Sequence, residues 1–302
     1  MSLSIASPAR ARSSAALVLA GVLWGTGGLA GSLLGQLAGL HPLAVAAYRL
    51  LVGGVTASAY VALTGGLRDL PRTPEALRRL IAVGALFALF QTSYFAAVSL
   101  SSVSTATMTT IGAAPVVLTV VSAVRKRRAP RLWTLVSVGG AVAGLVLLRW
   151  SPETATSPAR LAGGLGFALL AAAGFAVLTL VTAEPVDGLE PLATTAFGCL
   201  AGGLLLTPAA VWLGMGLPAR VDVLLLAVYF GAVPTAVAYA AYFRGLGGAH
   251  PVLGALSALL EPLTATVLSV VFLHDRLSAL AWGGAVLLVA ALAVGYWRPE
   301  PR

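Results

Sequence analysis

Apolar residues occupy this 302-residue chain in blocks of about twenty, separated by short polar or basic breaks. A helix rising 1.5 Å per residue needs ~20 such residues to cross a hydrocarbon core about 30 Å thick. The blocks predict ten spanning helices, roughly at 14–35, 42–64, 78–98, 103–124, 131–149, 161–182, 191–213, 221–243, 251–272 and 278–297. Connections are short except around Gly65–Leu77 and Trp150–Arg160, so no segment reads as a soluble domain. A membrane barrel would alternate polar and apolar residues along each strand, which these blocks do not do. The expected fold class is therefore all-α and integral to the membrane.

The ninth block, HPVLGALSALLEPLTATVLSVVFL from His250 to Leu273, breaks its own pattern with Glu261 and Pro262 near its middle. A carboxylate at that depth costs at least roughly 2.5–3.5 kcal/mol to insert. The proline removes a backbone donor and crowds the preceding turn, so a kink is expected. A charge beside a kink at midplane depth marks a ligand or proton site in a transporter; the alternative is a carboxyl group that only packs helices.

The blocks also repeat. Leu40–Gly54 (LHPLAVAAYRLLVGG) and Leu189–Gly203 (LEPLATTAFGCLAGG) agree at eight of fifteen positions, at an offset of 149. Tyr94-Phe95 returns as Tyr242-Phe243 at an offset of 148, and Pro115 as Pro262 at 147. The chain therefore reads as a duplicated five-helix unit, residues 1–150 and 151–302. Five is odd, so the second copy enters the membrane from the opposite side. This is an inverted repeat, with a site expected near midplane between the halves.

Composition agrees. The chain is 59% hydrophobic and 10% charged, against about 25% charged in soluble domains. The net charge of +9 does not point to nucleic acid, because the basic residues lie between spans. Arg10, Arg12, Arg68, Arg72, Arg78, Arg79 and the run Arg125–Arg128 with Arg131 fall on one side of the first half, and the opposite loops of that half hold none. The positive-inside rule then puts both termini in the cytoplasm. The bias is weaker in the second half, where Arg149, Arg160, Arg220 and Arg276 fall outside. Lys126–Arg128 reads as a topology anchor against anionic headgroups. The block at Ala15–Leu34 reads as a retained first helix rather than a cleaved signal. Arginine-rich, lysine-poor usage hints at a bacterial source, hence an inner (plasma) membrane.

Several short motifs, taken in order, resemble the EamA-like family of the drug/metabolite transporter superfamily. They are Trp24-Gly25, Arg49 in the second span, the two Tyr-Phe pairs, Glu261-Pro262, and His274-Asp275-Arg276-Leu277-Ser278. Asp275 stands where that family usually has Glu, and Gly198 stands where the first half has Arg49. The resemblance implies ten helices in inverted repeats, alternating access, and export or exchange of small metabolites such as amino acids.

Arg49 and Glu261 are the two intramembrane charges expected to couple the halves, as an ion pair or within a shared polar cluster. Their depths agree within about 5 Å at 1.5 Å per residue; the alternative is an Arg49 that snorkels outward alone. Gln91 and Tyr94, three residues apart, share one side of the third span, and Tyr239 and Tyr242 share one side of the eighth. These four, with Trp24, Thr107, Met108, Ile111 and Ser257, are the expected substrate-binding wall. Tyrosines near span ends have interfacial anchoring as their alternative. The small-residue run Gly21, Gly25, Gly28, Gly31–Gly35 predicts close helix packing.

No catalytic or metal-binding pattern appears: His41, His250 and His274 lie far apart near span ends, and Cys199 is alone in an apolar setting. No cofactor is expected, and the protein is not read as an enzyme. The partners expected are a small-molecule substrate and the lipid bilayer, without nucleic acid; a homodimer is compatible with the sequence. The reading is a secondary exporter. Its rivals are a facilitated uptake carrier of the same fold and a non-transporting membrane partner protein.

Overall fold

The computed structural model describes residues 8–101, 103–148, 157–272 and 278–297. The turn His274–Leu277, with Asp275 and Arg276, and the cations Arg149, Arg298 and Arg302 lie outside the described residues. The regular structure among the described residues is helical throughout. Its ten helices are α1 (Pro8–Ala38), α2 (Pro42–Leu63), α3 (Pro74–Leu100), α4 (Val103–Lys126), α5 (Leu132–Leu148), α6 (Pro158–Ala183), α7 (Pro191–Trp212), α8 (Val221–Leu246), α9 (Pro251–Ala258 continued by Leu260–Phe272) and α10 (Ala279–Trp297). Nine of them are long and apolar enough to cross a bilayer, and α5 is a shorter apolar helix.

Helix starts follow backbone chemistry. Proline opens α2, α3, α6, α7 and α9, where its missing N–H would be an orphan in any case. His41 Nδ1 accepts from the Leu43 N–H, His250 Nδ1 accepts from the Val252 N–H, and Thr73 Oγ1 accepts from the Ala76 N–H. Each bond satisfies one exposed N-terminal donor.

Two helices are interrupted. In α9 the α-helix breaks at Leu259, beside Ala258, the residue four before Pro262. The proline ring leaves the Ala258 carbonyl without its helical donor, so the expected kink falls one turn ahead of the proline. In α8 the segment Ala232–Val237 is a π-helical turn containing Pro234. The sequence reading anticipated the first break and not the second.

Packing follows a two-fold pattern. The pairs α2·α7 and α5·α10 each join equivalent helices of the two repeats. The other main contacts come in matched sets: α1·α8 with α6·α3, α1·α9 with α6·α4, and α2·α8 with α7·α3. Small residues set these approaches. A Cβ on Gly54 would lie 2.6 Å from the Leu200 backbone N, and one on Gly144 would lie 2.6 Å from the Leu288 N. The glycine run of α1 divides its work. Gly21 and Gly25 admit the α9 backbone near Ser257 and Glu261, whereas Gly27 and Gly31 face Pro234 and Phe230 of α8. Gly28 meets nothing within 4 Å.

Ties between loops identify the two faces of the bundle. Arg125 pairs with Glu184 at 3.4 Å and Arg79 donates to the Glu184 carbonyl, which joins the start of α3 to the ends of α4 and α6. On the other face Arg160 donates to the Ser99 carbonyl and Tyr48 to the Met215 carbonyl. Arg68, Arg72, Arg78 and residues 125–131 all belong to the first face, so the charge bias seen in the sequence is a bias between faces.

Candidate functional site

Where α1, α3, α6 and α8 meet, aromatic rings close the centre of the bundle. Trp24 of α1 lies 5.1 Å from the Tyr239 ring and 4.9 Å from the Tyr242 ring of α8. Phe87 of α3 sits 4.7 Å from Tyr239, and Phe175 of α6 sits 6.1 Å from Trp24 and 5.8 Å from Tyr242. All five side chains are buried. Their tilted and edge-on geometries are those that aromatic quadrupoles favour.

Polar atoms are threaded through this cluster. Thr179 donates to the Phe175 carbonyl, so the Tyr242 hydroxyl donates to Thr179 Oγ1 at 2.7 Å. Trp24 Nε1 and Gln91 Nε2 are buried donors with no acceptor among the described residues. Each such orphan costs about 1–3 kcal/mol unless something accepts from it. Gln91 is one turn beyond Phe87 on the same side of α3. Both orphans therefore border the ring cluster, one on each of the first repeat's central helices.

Arg49 enters from α2. Its Nε donates to Thr235 Oγ1 at 3.2 Å and a terminal nitrogen donates to the Pro234 carbonyl at 3.4 Å. Thr235 passes the chain on by donating to the Phe230 carbonyl at 2.8 Å. The guanidinium carbon lies 5.5 Å from the Phe230 ring centre and 5.9 Å from that of Tyr239. These are cation–π distances. Arg49 is thus held by the π-turn of α8, and Glu261 is not its hydrogen-bond acceptor. The Tyr239 ring, 5.9 Å from the guanidinium carbon, joins Arg49 to the ring cluster.

The remaining expected wall residues divide. Tyr94 is half-buried, hydrogen-bonds Thr107 at 2.7 Å, and reaches the central rings through Phe90 (6.4 Å from Tyr94, 5.6 Å from Phe175). Met108 and Ile111 of α4 pack at the edge of the main core. Ser257 donates within α9 to the Leu253 carbonyl and bonds the Tyr296 hydroxyl of α10, one turn beyond Gly254, where a Cβ would lie 3.0 Å from the Tyr242 hydroxyl. Phe87, Phe175, Thr179 and Thr235 are the neighbours that sequence reasoning missed. Phe175 could have been found, because it lies about 150 residues after Trp24, close to the repeat offset.

Ten membrane-type helices in two matched sets of five, closed around a buried polar and aromatic site, are the architecture of a membrane transporter. A model of the EamA-like transporter family matches residues 12–150 and 162–297, and the chain belongs to that family, within the drug/metabolite transporter superfamily. The protein described as "Uncharacterized transporter YwfM" from Bacillus subtilis (strain 168) is 31% identical over 280 residues, covering 92% of this chain and 91% of that one. Protein PecM from Dickeya dadantii (strain 3937) is 33% identical over 160 residues, 52% of each chain. A solved structure described only as "Crystal structure of protein" matches with a TM-score of 0.78 over 94% of this chain and 96% of that chain. At 22% identity that likeness speaks to the fold alone. The protein is a multi-pass membrane transporter.

Proposed function

We propose that this transporter exports a small polar metabolite, such as an amino acid or a related compound, by alternating access in a bacterial inner membrane. Both termini face the cytoplasm in this reading, since the basic face of the bundle is the one the positive-inside rule places there. The observation that carries the site is the pair of buried orphan donors, Trp24 Nε1 and Gln91 Nε2, beside the ring cluster. A substrate oxygen arriving between α1 and α3 relieves both, and parting the rings opens its path. Arg49, held by the π-turn of α8, and Glu261 of α9 set the field in which a polar ligand is held. Glu261 is the group whose protonation would couple flux to a proton gradient.

The test is thermal stabilisation of the purified protein against a metabolite panel, with Gln91→Leu and Glu261→Gln alongside. A ligand binding the native state at a hundred times its Kd stabilises by about 2.7 kcal/mol. The expected result is a polar hit weakened at least tenfold by Gln91→Leu. A hit that neither variant weakens moves the substrate away from this site. Counterflow of the hit in proteoliposomes then separates export from facilitated uptake. Initial flux that ignores an imposed pH gradient removes Glu261 as a proton-coupling group.

A further inference from the structure

A cavity of about 430 Å3 opens at the basic face, away from the ring cluster. It lies between the end of α4, the start of α5 and the start of α9. Thr119, Thr134 and His250, all buried, are among its lining, together with the half-buried Ser122. Lys126, Arg128 and Arg131 stand at its exposed edge. We propose that this cavity binds a phosphate-bearing anion, presented as a phospholipid headgroup or as free phosphate.

Three features argue for a built site rather than a scatter of surface charge. First, hydrogen bonding fixes the histidine. His250 Nδ1 accepts from the Val252 N–H, so Nε2 carries the proton and donates to Ser122 Oγ at 3.3 Å. The Ser122 hydroxyl proton is then left to donate to a ligand. Second, the chain turns sharply to bring the cations round. Arg127 takes a left-handed φ of 48°, unusual for a residue with a Cβ. The Arg127 N–H bonds the Val124 carbonyl and the Arg128 N–H bonds the Ala123 carbonyl, the pattern that closes a helix on a left-handed residue. Arg128 is thereby returned over the end of α4. Third, α5 begins at the cavity, and helix starts favour anions.

Three cations and the Ser122 hydroxyl suit a tetrahedral anion with up to two charges and several acceptor oxygens. The setting also explains how a lipid could supply it. Val124, Leu132 and Trp133 are exposed apolar side chains at the same level, and basic pockets between spans at that level take anionic headgroups.

The experiment titrates the purified protein, in a neutral detergent, with dioleoylphosphatidylglycerol, dioleoylphosphatidylcholine and inorganic phosphate, reading thermal stabilisation. It compares wild type with the triple variant Lys126→Gln, Arg128→Gln, Arg131→Gln. A second triple, Arg68→Gln, Arg72→Gln, Arg78→Gln, removes as much charge from the same face outside the cavity. Each cavity cation should contribute roughly fivefold in affinity. The expected result is phosphatidylglycerol binding lost in the first triple and kept in the second. Competition by inorganic phosphate assigns the free anion as ligand; its failure to compete assigns the lipid. Equal losses in both triples, or none in the first, overturn the proposal. Arg128→Gln alone, on an exposed turn, keeps the test decisive if the triple variant does not fold: it should weaken binding roughly fivefold.

Discussion

The crossing of α2 with α8 and the crossing of α7 with α3 are equivalent places in the two repeats, and they are filled in opposite ways. At the first, Arg49 projects from α2 onto Phe230 and Thr235. At the second, Gly198 of α7 stands where Arg49 would be, and Val83 and Phe87 of α3 close on it; a Cβ there would overlap Val83 and lie 3.6 Å from Phe87. Large faces small in one copy and small faces large in the other. The neighbouring glycines keep the frame: Gly53 meets Thr235 and the Gly231 carbonyl, as Gly202 meets Phe87 and the Gly84 carbonyl. From Gly84 to Phe87 is three residues, whereas from Gly231 to Thr235 is four. The extra residue is absorbed by the π-turn, as a single insertion in a helix usually is. Duplication supplied one scaffold, and one inserted residue with two substitutions made a charged joint on one side and an apolar joint on the other.

The sharpest break of this contrast is Gly198→Arg, which gives both crossings an arginine. The second crossing has no π-turn to accept its hydrogen bonds, and Val83 and Phe87 occupy the space. Overpacking of about 1–3 kcal/mol adds to an insertion cost of about 2.5–3.5 kcal/mol. The expected outcome is loss of monodisperse protein on size exclusion. A well-folded variant would mean that the two crossings are interchangeable.

Next in size is Arg49→Ala. Two charge-assisted hydrogen bonds to neutral acceptors, together about 3 kcal/mol, and two ring contacts, together about 1 kcal/mol, favour the arginine. The desolvation of its charge, about 3 kcal/mol, opposes them. The balance predicts a destabilisation of about 1–2 kcal/mol in thermal or denaturant unfolding, far milder than Gly198→Arg. Ranking the two the other way would show that the charge, not the space, organises the bundle. Thr235→Val should follow at about 1 kcal/mol, since it removes the hydroxyl between Arg49 and the Phe230 carbonyl. Its effect should shrink in an Arg49→Ala background, because the two residues share one chain of bonds.

How much of this the sequence carried depended on the kind of signal. Hydrophobic block length placed the ten helices to within a turn or so at most ends, since a bilayer fixes both length and polarity. It shortened α1, because Pro8 and Arg10 extend a helix beyond the apolar stretch. The internal repeat located Gln91, Tyr239 and Tyr242 on the central helices, and Arg49 stood out as a charge within an apolar span. Pro262 revealed the break in α9 because a carboxylate beside it drew attention. Pro234, equally visible in the sequence, has no charged neighbour on its own helix, and its partner Arg49 lies 185 residues away in the chain. The bonding partner of Ser257 was hidden for a related reason. Spacing places a residue on a helix side, but which neighbour lies beyond that side, here Tyr296, is a tertiary fact. Orphaned donors such as Trp24 Nε1 are equally silent in the sequence, because satisfaction depends on acceptors from other helices.

The smallest expected effect gives the finest test, deletion of Pro234. Removing one residue from an ordinary spanning helix turns everything beyond it by 100°, so deletion of Leu86, just before Phe87 in α3, should rotate Gln91 and Tyr94 off their side and abolish folding. In α8 the deletion takes out the residue that the π-turn holds in excess. Tyr239 and Tyr242 should keep their direction, and a regular α-helical turn should replace the bulge. The lost proline also stops depriving the Phe230 carbonyl of its backbone donor. What disappears is the carbonyl that Arg49 reaches at 3.4 Å, a long bond and the weaker of its two. The net change in unfolding free energy should then be within about 1 kcal/mol. Arg49→Ala should cost less in this background than in wild type, because one of its acceptors is already gone. Equal damage from both deletions would mean that α8 is not α3 with one residue added. It would also detach Arg49's position from the π-turn that holds it here.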